Sequence, residues 1–161
     1  MPNHCHNRVT IYGSGHDTDD TRAQIAKIKA IFDDESIFTH FIPEPNWPTT
    51  PLHESDVHYG TKYGKEGELP VKTEDPWVRY VFKSTGITDQ RWYDWRLQNW
   101  DTKWDAYDVE VTDDDPDQLE ITFNTAWAPP EAVCYAMREL YPDLSISWFF
   151  DEPGCELAGY L

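Results

Sequence analysis

Apolar and polar residues alternate in four stretches of the chain, and this alternation predicts four β-strands. The four stretches span residues 8–13, 107–112, 119–125 and 144–150. Two other stretches repeat apolar residues at a spacing of three or four, which predicts two amphipathic helices. Their apolar positions are Ile25, Ile28 and Phe32 in the first helix, and Val133, Met137 and Leu140 in the second. The last residues, 157–161, are expected to add a short edge strand.

The order strand, helix, strand, strand, helix, strand is the ferredoxin-like βαββαβ arrangement. We therefore expect an α+β fold in which an antiparallel sheet carries two helices on one face. Right-handed crossovers would place the strands in the order 4-1-3-2. An acidic segment at residues 113–117 is expected to form the turn between the second and third strands. The chain is predicted to be a single domain that spans residues 1–161.

A long irregular segment, at about residues 33–105, separates the first helix from the second strand. Its many prolines and glycines interrupt any long helix, and a long irregular segment in a compact domain is usually functional or an insertion. Within it, a helix is expected to begin near Thr88 as its cap and to end near Gln98. The stretch Trp77–Phe82 is compatible with either a short strand or a helix.

Residues 92–107 contain four tryptophans and two tyrosines, interleaved with charged and amide side chains. A plain amphipathic helix would use Leu and Ala at its apolar positions. Aromatic residues that also carry polar atoms, at this density, indicate a surface that serves both packing and recognition.

The predicted topology brings this aromatic stretch to the same edge of the sheet as three other segments. The starts of the first and second strands and the ends of the third and fourth meet there, and the second sheet-packing helix begins there with its free N–H groups. We therefore predict a binding site at this edge. Its candidate residues are Asn3, His4, His6, Asn7, Asn99, Trp100, Asp101, Lys103, Trp104, Asp105, Asn124, Thr125, Trp127 and Glu152.

Several chemistries are compatible with these residues. Trp100, Lys103 and the neighbouring indoles are suited to stack on and pair with a planar anionic ligand; alternatively, Trp100 and Trp104 simply pack the irregular segment onto the sheet. His4 and His6 share one side of an extended segment, but metal-ligand spacings such as Cys-x-x-Cys are absent from the sequence. No metal and no cofactor are therefore predicted. Because the sequence also lacks a Walker loop, a dinucleotide fingerprint and a nucleophile elbow, no catalytic residue is assigned.

Charge restricts the partners. The chain has 30 acidic and 13 basic residues and a net charge of −17. Direct nucleic-acid binding is not expected, because contacts to phosphates require Lys and Arg in number. The excess is compatible with solubility, with a high-salt habitat, or with attraction to a basic partner. It is most concentrated in an acidic tip that consists of Asp113, Asp114, Asp115 and Asp117.

Compartment and membrane association follow from other sequence features. No apolar run approaches the roughly 20 residues of a membrane span, and the polar first residues predict no secretory signal. Three cysteines at unrelated spacings favour free thiols in a reducing cytoplasm. We therefore expect a cytoplasmic protein; the pattern predicts no oligomeric state.

Five motifs resemble one known family. They are Pro2-Asn3-x-Cys5-x-Asn7, Phe38-x-x-x-Ile42-Pro43-x-Pro45, Asn99-Trp-x-Thr-Lys-Trp-Asp-Ala106, Phe123-x-Thr125-Ala-Trp-x-Pro-Pro130 and Glu152-x-Gly154. Together they resemble the YubB-like ferredoxin-fold domain family, whose members are encoded mainly on bacteriophages and plasmids and whose function is uncharacterised. The resemblance spans the whole chain and implies a ferredoxin-like fold and a mobile-element origin, but no activity. The family has Trp and Gly at the positions of His4 and Asp101, so contacts at the predicted site are expected to differ.

Two hypotheses on function follow. In the first, the chain is a phage- or plasmid-encoded accessory protein that acts in the host cytoplasm. It would bind a host protein through the edge site, in a host-takeover or counter-defence role, and its acidic surface would steer it to a basic partner. In the alternative, the same edge belongs to an enzyme or a sequestering protein for a small nucleotide-like molecule.

Overall fold

A computed structural model describes residues 3–15, 18–58 and 60–161, so Pro2 of the first motif lies outside the described residues. Within them the chain divides into two compact units. The sheet unit consists of Met1–Pro43 and Asn99–Leu161, and the central unit consists of Glu44–Gln98. The helices and strands are β1 (His4–Gly13), α1 (Thr18–Phe32), β2 (Val57–His58), β3 (Thr61–Lys62), β4 (Val71–Lys72), β5 (Tyr80–Val81), α2 (Arg91–Asn99), β6 (Tyr107–Asp115), β7 (Gln118–Ala126), α3 (Glu131–Leu140), β8 (Leu144–Glu152) and β9 (Leu157–Tyr160).

The sheet unit is built on an antiparallel sheet with the strand order β6-β7-β1-β8-β9. Side chains in β1, β7 and β8 alternate between buried and accessible positions. The sheet therefore has one packed face and one open face, as is typical of antiparallel sheets. The mixed helix and strand content and the antiparallel sheet predicted from the sequence are confirmed.

Helices α1 and α3 cover the packed face. From α1, the Phe32 ring lies 5.5 Å from the Phe123 ring of β7, and α3 contacts β8. Trp148 of β8 is fully buried and meets Phe123 edge-on, with ring centroids 5.6 Å apart. The charges of α1 suit the helix dipole, because Asp19 and Asp20 lie in its first turn and Lys29 lies in its last.

The core of the sheet unit includes residues from both ends of the irregular segment. Ile37, Phe38 and Phe41 are buried there, and so is Trp100, whose side chain is 1% exposed. Trp100 meets Phe38 edge-on at 5.6 Å, and its indole N–H donates to the Ile42 carbonyl at 3.0 Å. The central unit, Glu44–Gln98, is accordingly shorter in sequence than the irregular segment predicted at about residues 33–105. The single-domain assignment stays a prediction.

The central unit has its own small core, which consists of Leu52, Tyr63 and Phe82. The stretch Trp77–Phe82 contains the two-residue strand β5, which pairs with β4, and no helix. The predicted start of the next helix at Thr88 is wrong. Thr88 pairs as a β-bridge with Val81, and α2 begins only at Arg91, whose backbone N–H donates to the Asp89 carboxylate.

The predicted acidic turn is also shorter than expected. Strand β6 extends through Asp115, which is paired with Gln118, so the turn contains only residues 116–117. Two tip carboxylates face cations of α1: Asp117 is 2.7 Å from Arg22, and Asp114 is 2.5 Å from Lys29. The Arg22 guanidinium holds the pKa of Asp117 below its usual range. The tip is therefore less electronegative than its four aspartates suggest.

Candidate functional site at one edge of the sheet unit

The β-sheet register brings the predicted segments to one edge. His4 pairs with Ala126, and His6 lies between Asn124 and Asp151. The loop after α2 joins them through Thr102, whose hydroxyl donates to the Ala126 carbonyl at 3.0 Å and accepts from its N–H at 3.2 Å. The start of β1, the loop before β6 and the ends of β7 and β8 thus lie together.

Two of the candidate residues form a buried polar network beneath this edge. Asn7 is 2% exposed and Thr125 is fully buried. The Asn7 amide donates to the Thr125 hydroxyl at 3.0 Å and to the Cys5 carbonyl at 3.1 Å, and its oxygen accepts from the Trp148 indole at 3.1 Å. With these groups paired, the network fixes the strands that carry the edge. Asn7 and Thr125 support the edge from below and do not reach its surface, and the same holds for Trp100.

Glu152 is also buried, with 1% of its surface exposed. One carboxylate oxygen accepts a hydrogen bond from the backbone N–H of Cys155, and the other has no hydrogen-bond partner among the described residues. Its position shapes the turn Pro153–Cys155 that follows β8. Asn3 is half-buried and lies against Gly154 of this turn.

The aspartates of the edge loop are bound by backbone groups. Asp101 has a left-handed φ of 64°, which Asp tolerates better than most residues. Its carboxylate accepts from Ala132 N–H at 2.8 Å, at the start of α3. The anionic group expected at this helix terminus is thus supplied by the chain itself. Asp105 accepts from the N–H groups of Phe38, at 3.0 Å, and Ala106, at 2.8 Å.

The remaining accessible side chains at this edge are here called the edge patch, which consists of His4, Lys103, Trp104, Tyr107 and Trp127. The Lys103 ammonium lies 4.6 Å from the centre of the Trp104 ring, which meets Tyr107 at 6.1 Å. The Tyr107 hydroxyl is 2.5 Å from the Nδ1 atom of His4. The backbone N–H of Trp127 donates to the Asn3 carbonyl at 3.0 Å. Trp104 and Trp127 are 37% and 51% exposed.

The open face of the sheet continues from the patch. The Nδ1 atom of His6 donates to the Asn124 amide oxygen at 2.6 Å, and the Asn124 amide donates to Asp108 at 3.2 Å. These residues line a shallow cavity of about 440 Å³ together with Arg8 and Phe149. Asn99 is half-buried at the end of α2. Among residues 3–15, 18–58 and 60–161, no cluster of three His, Cys, Asp or Glu side chains is placed to hold a metal ion.

Sequence reasoning missed an aromatic cavity in the central unit. Its volume is about 510 Å³, and its walls include Trp47, Trp77, Tyr80 and Trp92. The signal was present in Pro45-Asn-Trp-Pro48, where an indole lies between two prolines, and in Trp77 after another proline. The aromatic stretch predicted to be one surface is divided, because Trp92 and Trp95 belong to the central unit and Trp100 and Trp104 to the sheet unit.

The three cysteines are free thiols in unlike environments. Burial raises the pKa of Cys5 to about 11 and that of Cys134 to about 11. Cys155 is exposed, and its hydrogen bond to the Glu152 carboxylate raises its pKa. Because accessibility separates the three, we expect a thiol reagent at pH 8 to label one cysteine in the folded protein and three in denaturant.

Mass spectrometry of the labelled protein measures this stoichiometry. Cys155→Ser should remove labelling of the folded protein. The labelling of Cys5 and Cys134 in denaturant should stay unchanged. Rapid labelling of Cys5 or Cys134 in the folded protein would contradict the burial of these side chains.

Comparison with known proteins identifies the class of fold. Residues 99–161 match a family model described as a ferredoxin-like domain in Api92-like protein. This match begins at Asn99, the first residue after the central unit, and covers β6 to β9. The part of the sheet unit from β6 to β9, with α3, is therefore similar to a ferredoxin-like domain.

A crystal structure of the protein Api92 from Yersinia pseudotuberculosis is similar, with a TM-score of 0.48 and 12% sequence identity over 99% of this chain and 93% of that chain. No curated protein matches the sequence. Among the described residues, helices are too short or too polar to cross a membrane.

Proposed function

We propose that the protein is a binding module that docks onto a basic partner protein through the edge patch. The patch combines two exposed indoles, a phenol, an imidazole and one ammonium group on a rigid strand edge. Trp and Tyr side chains of this kind are enriched at protein–protein interfaces and are common anchors there. The buried network of Asn7 beneath the patch keeps these anchors in place before binding, which lowers the entropic cost of association.

The observation that carries the proposal is the conformation of Trp127. Its φ is 73°, a left-handed value that is unusual for a bulky residue. Half of its surface is nevertheless exposed, so burial of the ring does not explain the conformation. Residues with strained backbone conformations are found most often at functional sites. The strained backbone aims an indole outward, as an interface anchor requires.

The distribution of charge indicates the kind of partner. The sheet unit carries 21 acidic and six basic side chains, whereas the central unit carries nine and seven. The patch therefore belongs to the strongly acidic unit, whose field would speed encounters with a basic protein at low salt. The resemblance to phage and plasmid proteins extends the proposal to a host protein in the bacterial cytoplasm as the partner.

Trp127→Ala tests the proposal directly. We expect the variant to lose binding by about 30-fold, because an anchoring Trp typically contributes at least about 2 kcal/mol. Its melting temperature should change little, because the ring is half exposed. Bacterial proteins captured on the immobilised wild-type chain are identified by mass spectrometry, and the dissociation constant of the captured protein is then measured for each variant.

The matched control is Trp77→Ala, which removes an indole that is 92% exposed in the central unit. It should bind the partner as the wild type does. Equal binding by wild type and Trp127→Ala would overturn the proposal. The alternative function, sequestration or turnover of a nucleotide-like molecule at this edge, would replace it if a nucleotide copurified with the wild type and not with Trp127→Ala.

A further inference from the structure

The aromatic cavity of the central unit has the size and composition of a small-molecule site. Its volume of about 510 Å³ lies within the range of roughly 300–1,000 Å³ that is typical of ligand pockets. Three indoles and a phenol form much of its wall, with a few polar groups among them, as such pockets require. All residues that line it belong to the central unit, and none of them is a residue of the edge patch.

The carboxylates of the cavity are already neutralised. Glu44 accepts hydrogen bonds from two nitrogens of Arg96, the shorter at 2.7 Å, and from the Trp47 indole at 2.8 Å. Asp89 is buried and is bound by the guanidinium of Arg91 at 2.8 Å. Neither carboxylate is therefore available to a cationic ligand.

One cationic side chain that lines the cavity, that of Arg79, is accessible to a ligand. The Arg79 side chain is exposed at the wall, and among the described residues no acceptor binds its guanidinium. The charge that a ligand would meet is consequently positive.

The aromatic walls also disfavour an organic cation. The Arg96 guanidinium already lies over the Trp92 ring, at 5.3 Å from its centre, and the Arg91 guanidinium lies over the Trp47 ring at 5.1 Å. A ring that is already paired with a cation attracts a second one less, because the two positive charges repel each other. Trp77, in contrast, is 92% exposed, so its indole is accessible for stacking on a flat ring.

We infer that this cavity binds a small aromatic anion, in which a flat ring stacks on the indole of Trp77 and an anionic group pairs with Arg79. The shared chemistry is a planar ring together with one phosphate or carboxylate group in the same molecule. Guanidinium groups bind both anions through paired hydrogen bonds.

Equilibrium binding to the purified protein of residues 1–161, measured by calorimetry, tests this inference with four probes. The probes are adenosine 5′-monophosphate, indole-3-acetate, adenosine and choline. We expect at least one of the two anions to bind saturably, and adenosine to bind at least tenfold more weakly than its monophosphate if the phosphate is the favoured group. Comparing the two anions shows whether phosphate or carboxylate is preferred.

Two variants assign the contacts. Arg79→Gln should weaken binding of the preferred anion at least tenfold, and Trp77→Ala should weaken it by a similar factor. Both side chains are exposed, so the melting temperature should stay near that of the wild type. The matched controls are Arg22→Gln and Trp127→Ala, which alter an exposed Arg and an exposed Trp of the sheet unit and should leave anion binding within twofold.

The inference is overturned if neither anion binds at millimolar concentration. It is equally overturned if choline binds more tightly than both anions, or if Arg79→Gln binds the preferred anion as well as the wild type does. Because the partner-binding test depends on Trp127 and this test on Trp77 and Arg79, failure of either leaves the other result interpretable.

Discussion

Replacing Trp100 with alanine is expected to lower the free energy of unfolding by about 3–5 kcal/mol. The side chain is 1% exposed and packs edge-on against Phe38 at 5.6 Å, so truncation leaves a large cavity in the core of the sheet unit. The substitution also removes the donor to the Ile42 carbonyl. Urea unfolding followed by circular dichroism measures the loss.

Trp104→Ala is the matched control, since it removes the same side chain four residues away from a position that is 37% exposed. It should cost about 1 kcal/mol or less, in the range of most surface substitutions. Equal losses for the two variants would contradict the division of the aromatic stretch into a core residue and a surface residue.

Replacing Arg91 with alanine is expected to destabilise the central unit by about 3–5 kcal/mol, the usual cost of removing one partner of a buried ion pair. The Arg91 side chain is 4% exposed and binds the Asp89 carboxylate, which is equally buried. It also donates to the backbone carbonyls of Trp47 and Thr50, at 3.2 and 2.9 Å, and lies over the Phe82 ring at 5.3 Å. Its loss therefore leaves a buried charge without its partner and the carbonyls of Trp47, Thr50 and Pro51 without this donor.

Limited proteolysis measures this effect, because opening of the central unit exposes cleavage sites within residues 44–98. We expect Arg91→Ala to be cleaved there much faster than the wild type. The control Arg22→Ala breaks an exposed Arg–Asp pair of the sheet unit and should leave the cleavage rate unchanged. An Arg91→Ala variant as resistant as the wild type would show that the central unit is held together by its apolar core alone.

The sequence predicted the sheet unit better than the central unit, for a physical reason. Side chains along β1, β7 and β8 alternate between a packed and an open face. This period of two is visible in the sequence as alternating apolar and polar residues. The central unit has only two-residue strands and a core of Leu52, Tyr63 and Phe82, which lie far apart in sequence. No local period marks such a unit, and Arg91, which joins its loops, reads in the sequence as an ordinary surface cation.

For the candidate site, the sequence by itself determined which segments carry aromatic and polar side chains and which strands alternate. The tertiary structure alone decided which of these side chains reach the surface. Asn7, Trp100 and Thr125 are chemically suited to a ligand but are buried in hydrogen bonds and packing, whereas Trp127 is turned outward by a left-handed backbone. Accessibility depends on neighbours distant in the chain, and a composition or a spacing does not contain it.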